Sequence, residues 1–289
     1  MTLSIRPMTP DDVEAVREVV SAANDEADRK AGQEPSAPTA QQREQFFRGT
    51  RRFITEDAAG AWVAVDDDGV VGMAEAIRRG GFWGLSMLFV HPRAQSQGIG
   101  RQLLDRTLDY ARGSDVRMIM TSEDPRALRR YALAGLQIHP AVKGVGMVDR
   151  TAIPVDLKGR TGSADDLDLV AAVDTALLGR SRAADAEFVL GNGATLEIVD
   201  DGAHRGFALH RDAHPNMLGA TDEQTAAALL WRILEKTTDK TEIYCLTAAQ
   251  DWAVRVCLAA RLAVSGSGPL FISGMDHPAG PWLPSGWYF

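Results

Sequence analysis

Apolar residues in the first 150 positions recur with two periods, and the switches between them outline the elements. Residues 2–11, TLSIRPMTPD, read as a short strand running into a helix start, with Thr9 as cap, Pro10 in the first turn and Asp11 and Asp12 at the N-terminus. The helix VEAVREVVSAANDEA follows, then a polar stretch from Gly32 to Pro38 and a second helix from Ala40 to Arg48. The period then changes to two. AWVAVDD (61–67), a turn at Asp68-Gly69 and VVGMAEAIRR (70–79) form a hairpin, and FWGLSMLFV (82–90) is a third strand. From Gly98 an amphipathic helix carries Ile99, Leu103, Leu104, Leu108 and Ala111 on one face. VRMIMTS (116–122) is an apolar strand, DPRALRRYALAG (124–135) a helix stopped by Gly135, and LQIHPAV opens a last strand. The order β-α-α-β-β-β-α-β-α-β predicts an α/β fold, a mixed sheet with flanking helices.

Residues 149–166, DRTAIPVDLKGRTGSADD, are rich in Gly, Pro, Ser and charge and read as a linker. The second half repeats the scheme. LDLVAAVDTALL, TDEQTAAALLWRILEKT and QDWAVRVCLAARL are helical; TLEIV, RGFALHR and TEIYCLT are strands. Leu103-Leu104 aligns with Leu229-Leu230, and Gly135-Leu136 with Arg261-Leu262, both at an offset of 126. A constant offset across two helices and a strand predicts a duplicated domain. The expected organisation is residues 1–150, a linker at 151–165, and a second domain at 166–289.

Composition narrows the function. A net charge of −8 gives no electrostatic footprint for nucleic acid or an anionic membrane, and mildly favours cationic acceptors such as amines. The two cysteines, Cys245 and Cys257, are too far apart for C-x-x-C, and the histidines show no H-E-x-x-H spacing, so no disulfide framework and no metal are expected. Residues Met1 to Asp12 lack an apolar leader core, and no run of about 18 apolar residues occurs, which predicts a cytoplasmic protein.

The chemistry concentrates in LFVHPRAQSQGIGRQLL. A strand ends at Val90, and the helix begins after Gln95-Ser96-Gln97-Gly98-Ile99-Gly100. Glycines there let backbone approach a ligand, and the first amides of a helix, with its dipole, favour an anion such as a pyrophosphate. A dinucleotide fingerprint fails because Leu103 stands at its third glycine, and the G-K-S/T of a P-loop is absent. A plain helix start with incidental glycines remains open at this level.

The phrase as a whole resembles motif A of the GNAT N-acetyltransferase superfamily, Q/R-x-x-G-x-G/A, with Gln95, Gly98 and Gly100 at its fixed positions and His91-Pro92 before them. DPRALRRYALAGL resembles the same family's N-x-x-A-x-x-x-Y-x-x-x-G-F, with Tyr131, Gly135 and Leu136 matching and Asp124 in place of Asn. The resemblance covers residues 1–150 well and the rest as a degraded copy. It implies two tandem GNAT-like domains and acetyl coenzyme A as cosubstrate. The amides of Gln97, Gly98, Ile99, Gly100 and Arg101 would hold the pyrophosphate, and the backbone of Leu88, Phe89 and Val90 would pair with the pantetheine arm, admitted by a splay between strands 82–90 and 116–122. Asp124 would contact the cofactor. Tyr131 would be the general acid, a phenol of pKa about 10 giving a proton to a thiolate of pKa about 8.5. The acceptor would be a small-molecule or peptide amine, and the resemblance leaves a homodimer open. A non-catalytic acyl-coenzyme A sensor of the same fold is the alternative.

The amine must also lose a proton, and the thioester oxygen must be polarised, the latter by a strand amide near Leu88. Candidate bases are Glu75, on one strand face with Met73 and Ile77, Glu123, and the terminal carboxylate of Phe289 in the aromatic tail PWLPSGWYF. At the offset of 126, Gln95, Gly98, Gly100 and Tyr131 become Thr221, Gln224, Ala226 and Cys257. The second domain is therefore expected to have lost the cofactor site and to serve as scaffold or substrate wall.

Overall fold

The computed structural model describes residues 3–211 and 214–289. The chain divides between Arg117 and Met118 into two units.

In the first unit, β1 (Ser4–Pro7) precedes α1 (Val13–Lys30) and α2 (Ala40–Glu56). Then come β2 (Trp62–Asp66), β3 (Gly69–Arg79), β4 (Phe82–Val90) and α3 (Ile99–Tyr110). The four strands form antiparallel neighbours in that order. Thr9 and Asp12 cap the turn into α1, and Arg6 grips the Asp12 carboxylate through two bonds of 2.6 and 2.7 Å. A Thr39–Gln42 capping box starts α2. That helix runs eight residues past the Arg48 expected as its end. Gly49 reads as a breaker in sequence, but Phe46, Gly49, Thr50 and Phe53 share the buried face, so burial overrides the propensity. The sheet separates its helices. Gly72 faces α3, where a Cβ would meet Leu103 and Ile99 at 3.0 and 3.2 Å; Glu75 faces the other way, toward Thr50 of α2.

Asp57 ties three of these elements together. It is buried and accepts from the Arg78 amide at 3.0 Å, the Arg79 guanidinium at 2.9 Å and the Tyr110 hydroxyl at 3.0 Å.

The second unit takes in most of β5 (Val116–Met120), then α4 (Pro125–Leu133) and β6 (Gln137–Gly146). The second half follows as β7 (Arg160–Thr161), α5 (Leu167–Leu178), α6 (Ala183–Gly191), β8 (Thr195–Asp200), β9 (Arg205–Arg211) and β10 (His214–Ala220). It ends with α7 (Glu223–Lys236), β11 (Thr241–Leu246), α8 (Asp251–Ala259), β12 (Ala263–Ser273) and β13 (Trp282–Leu283). From β7 to β12 the order repeats that from β1 to β6. The offset of 126 recurs in the starts of paired elements: Pro125 of α4 with Asp251 of α8, Gln137 of β6 with Ala263 of β12. The chain is thus a mixed α/β fold built on a repeated element order.

The repeat and the compact units are different partitions. The stretch expected as a linker contributes β7, paired with β8, so it is part of a sheet. The unit boundary falls well before it, because β6 pairs antiparallel with both β11 and β12 of the second half. Strands β13, β10, β9, β8 and β7 form a second sheet.

Truncating Asp57 would leave the Arg79 guanidinium and the Tyr110 hydroxyl without their shared acceptor. Asp57→Ala should cost about 3 kcal/mol of stability, read from urea unfolding; a loss under about 0.5 kcal/mol would show that the three contacts are dispensable.

Candidate active site

The loop between β4 and α3 is built to hold a helix terminus bare. The His91 amide donates to the Val71 carbonyl at 2.8 Å, and a single 3-10 turn, Pro92–Ala94, follows. Arg93 clamps Asp66 at the β2–β3 turn with two bonds of 2.7 and 3.0 Å. The Gln95 side-chain amide donates to the Val90 carbonyl at 3.1 Å, which fixes the loop to the strand it leaves. Ser96 and Gly98 then take positive φ, 66° and 81°.

Gly98 is the N-cap of α3 and offers no side chain to satisfy it, and no acidic residue stands in the first turn. Helical bonding starts with the amides of Arg101 and Gln102, which donate to the Gly98 carbonyl. The amides of Ile99 and Gly100 come before that point. A Cβ on Gly98 would meet nothing within 4 Å, so the space in front of the terminus is open. Leu88 and Val90 face this helix, their side chains 3.8 and 3.6 Å from where a Gly100 Cβ would lie. Leu88, Phe89, Val90, Gln95, Gln97, Gly98, Ile99, Gly100 and Arg101 thus come together at one end of the first unit.

Sequence reading missed a bulge in β4. Glu75 pairs with Met87 and Ala76 with Leu85, so Ser86 is an extra residue. Bulges bend a strand and take a residue out of the ladder. The only sign in sequence is a serine inside an apolar run. The second half carries the same device at Asn216 of β10.

Glu75 is fully buried. Burial pushes its carboxyl up from 4.5 to about 8; the Thr50 hydroxyl pulls weakly the other way. Neither carboxyl oxygen reaches a full hydrogen bond. Glu75 lies on the sheet face opposite α3.

Tyr131, in the second unit, is buried at 5% exposure on α4. Its ring packs edge-on against Phe271 of β12, centroids 5.6 Å apart. Burial lifts the phenol to about 12, against a hydrogen bond from the Thr121 side chain that favours the phenolate. Asp124 is occupied by its own helix: it accepts from the Arg126 amide at 2.8 Å and from the Arg126 guanidinium at 2.6 Å. Glu123 is exposed.

Phe289 requires a correction. Its ring is fully buried in the second unit and its main-chain oxygen accepts from Arg180 at 3.0 Å. Arg180 lies just after α5, so this contact anchors the tail within the second half. The base role expected for Phe289 is not carried forward.

The sequence profile of the acetyltransferase (GNAT) family matches residues 22–136, a span that holds the loop, α3 and Tyr131. No curated protein sequence matches the chain. Solved structures resemble the whole fold. A Pyrococcus horikoshii protein of inferred acetyltransferase function aligns over 99% of this chain and 96% of its own at 17% identity, with a TM-score of 0.81. A tandem GNAT protein from the clavulanic acid biosynthesis pathway aligns over 96% and 100% at 16% identity and 0.59. A GCN5-related N-acetyltransferase from Sphaerobacter thermophilus aligns over 94% and 95% at 16% and 0.60. At these identities the likeness is one of fold. GNAT proteins are acetyltransferases that use acetyl coenzyme A, and the bare α3 terminus with open space before it fits that cosubstrate's pyrophosphate.

The second GNAT-like half has the opposite arrangement at the matching helix. Asp222 caps α7, accepting from the Thr225 amide and hydroxyl, each at 2.8 Å, and from the His204 ring at 3.0 Å. Burial pushes the Asp222 carboxyl up, but the bonds from His204, Thr225 and Thr221 outweigh it and hold the pKa at about 2. A fixed carboxylate fills the place where a phosphate would sit, and repels one.

Two outcomes test this geometry. Gly98→Val puts a β-branched side chain at φ 81° and in the open space, and should weaken acetyl coenzyme A binding at least about tenfold by calorimetry; wild-type affinity would exclude the loop as the phosphate cradle. For Glu75, the folded pKa of about 8 lies above the ordinary value of 4.5. Below the lower value the group costs nothing; as pH rises through the window the folded state holds a proton the unfolded state has lost, and stability falls. Glu75→Gln should therefore gain stability over wild type between pH 5 and pH 8 in urea unfolding, and parallel pH curves would refute the buried carboxyl.

Proposed function

We propose that this chain is an N-acetyltransferase that moves acetyl from acetyl coenzyme A to a primary amine by direct attack in a ternary complex. The observation that carries the reading is the uncapped terminus of α3 behind the strand β4. The amides of Gln97 to Arg101 hold the pyrophosphate, with the helix dipole behind them. The backbone of Leu88 to Val90 aligns the pantetheine arm like an added strand.

Bound acetyl coenzyme A supplies the acetyl thioester; the amine forms the new N–C bond as the C–S bond breaks. A main-chain amide beside the Ser86 bulge polarises the thioester oxygen. Glu75 takes the amine's proton, directly or through water, for which a carboxyl near pKa 8 is well matched to neutral pH. Tyr131 donates to the departing thiolate. A phenol at about 12 stays protonated at neutral pH, and gives up its proton only to a strong base. Desolvation strengthens the thiolate as a base in the same way, which keeps the transfer matched.

The domain assignment follows the repeat: 1–150 catalytic, 151–165 connecting, 166–289 a copy that keeps the fold without the cofactor site. One acetyl coenzyme A per chain is expected.

A thiol-release assay over a panel of amines tests the activity, and a sensor would bind the cosubstrate yet release no thiol with any amine. Tyr131→Phe should lower kcat about a hundredfold while the KM for acetyl coenzyme A stays within about twofold. An unchanged kcat under rate-limiting chemistry removes Tyr131 from the mechanism.

A further inference from the structure

We propose that β12, a strand of the second half, positions the Tyr131 side chain of the first half. The inference rests on the reading of Tyr131 as the acid. In the repeat, β12 corresponds to β6, so each would be expected to close the sheet of its own half. Instead β6 lies between β12 and β11, antiparallel to both. The two last strands have changed places, and β12 lies beside α4 and the end of β5.

Two contacts from β12 fix Tyr131. Phe271, itself 1% exposed, presents its ring to the Tyr131 ring at 5.6 Å and an interplanar angle of 69°. Edge-to-face packing of this kind restrains both ring torsions. The second contact works through Thr121, whose side chain is hydrogen-bonded to the phenol. The Thr121 amide donates to the Pro269 carbonyl of β12 at 3.4 Å. Next to it, the Gly268 backbone lies so close that a Cβ would stand 1.7 Å from the Thr121 carbonyl oxygen. Any residue other than glycine at 268 would push the end of β5 away. One strand thus holds the tyrosine by its ring and, through Thr121, by its hydroxyl. The exchanged partner makes a contact of the same kind: Cys257, which takes the Tyr131 position on α8, packs on Gly144 of β6, where a Cβ would lie 2.6 Å from its sulfur. The second half is therefore retained as the source of the strand that aims the acid.

The test uses the full chain. Phe271→Leu keeps an apolar core but removes the ring edge. It should lower kcat at least tenfold with the KM for acetyl coenzyme A within twofold. It should also admit water to the phenol, so that the Tyr131 pKa, read as tyrosinate absorbance against the same variant carrying Tyr131→Phe, falls by a unit or more from about 12. In a Tyr131→Phe background the Phe271 effect on kcat should vanish, because the residue acts through the tyrosine. Gly268→Ala, reaching Tyr131 by the other contact, should reproduce the kcat loss and the background dependence. Equal kcat losses for Phe271→Leu with and without Tyr131, or an unmoved phenol pKa, overturn the proposal. A kcat unaffected by Tyr131→Phe sinks the acid reading instead, and the phenol titration then still decides whether β12 sets its surroundings.

Discussion

The ladder between β6 and β12 is the constraint on which the second unit depends. It runs from Ala263 opposite Val145 to Ile272 opposite Gln137, with a shift between Ser267 and Leu270. Its two strands occupy the same place in the repeat, 126 residues apart. Backbone donors and acceptors along such a ladder satisfy one another, so a change of partner would break the whole set at once. Neither half can close its sheet with its own last strand while this pairing holds. The compact unit therefore gathers α4 and β6 with the whole second half, and cuts across the repeat that the sequence displays.

That crossing was illegible for a physical reason. A duplicated element order supplies two candidate last strands, and local periodicity carries no information on which half each will pair with. Element order, by contrast, was readable in the first half, because helix and strand periods are local; in the second half the sequence displayed neither α6 nor β12, although α8 and β12 start where the offset of 126 from α4 and β6 puts them. Reading failed where local signals mislead. His214–Ala220 carries Pro, Asn and Gly, which argue against a strand, yet it pairs with both β9 and β13. The Gly-rich stretch after Asp149 read as pure linker although Arg160–Thr161 joins a sheet edge. Among the site residues, the loop 95–101 stood out because glycine and glutamine spacing is itself the chemistry. Phe289 misled because its partner, Arg180, can be assigned only from geometry.

The two helix termini show how little separates a phosphate cradle from an inert cap. Both follow a bulged strand. At α3 the cap is Gly98 in a left-handed conformation with no side chain. At α7 it is Asp222, which satisfies the amide of Thr225 internally and carries a charge held in place by His204. An internal carboxylate stabilises its helix by the same electrostatics that would bind a ligand phosphate. It has no translational freedom to lose, so it competes with a ligand phosphate for the same amides. The first half forgoes that stabilisation and keeps its terminus open.

Loss of the anion site in one copy would normally free that copy to disappear. The strand exchange removes the freedom. Deleting the second half strips β6 of both neighbours and takes Phe271 and Gly268 away from Tyr131 and Thr121. Core residues of the second half are held by packing: Leu229, Leu230, Ile233 and Leu234 of α7 are fully buried. Selection on such a copy acts through the register of one strand, since a shift of a single residue along β12 would turn Phe271 from one sheet face to the other. On the proposed reading, the second half is thereby kept under constraint by the chemistry of the first.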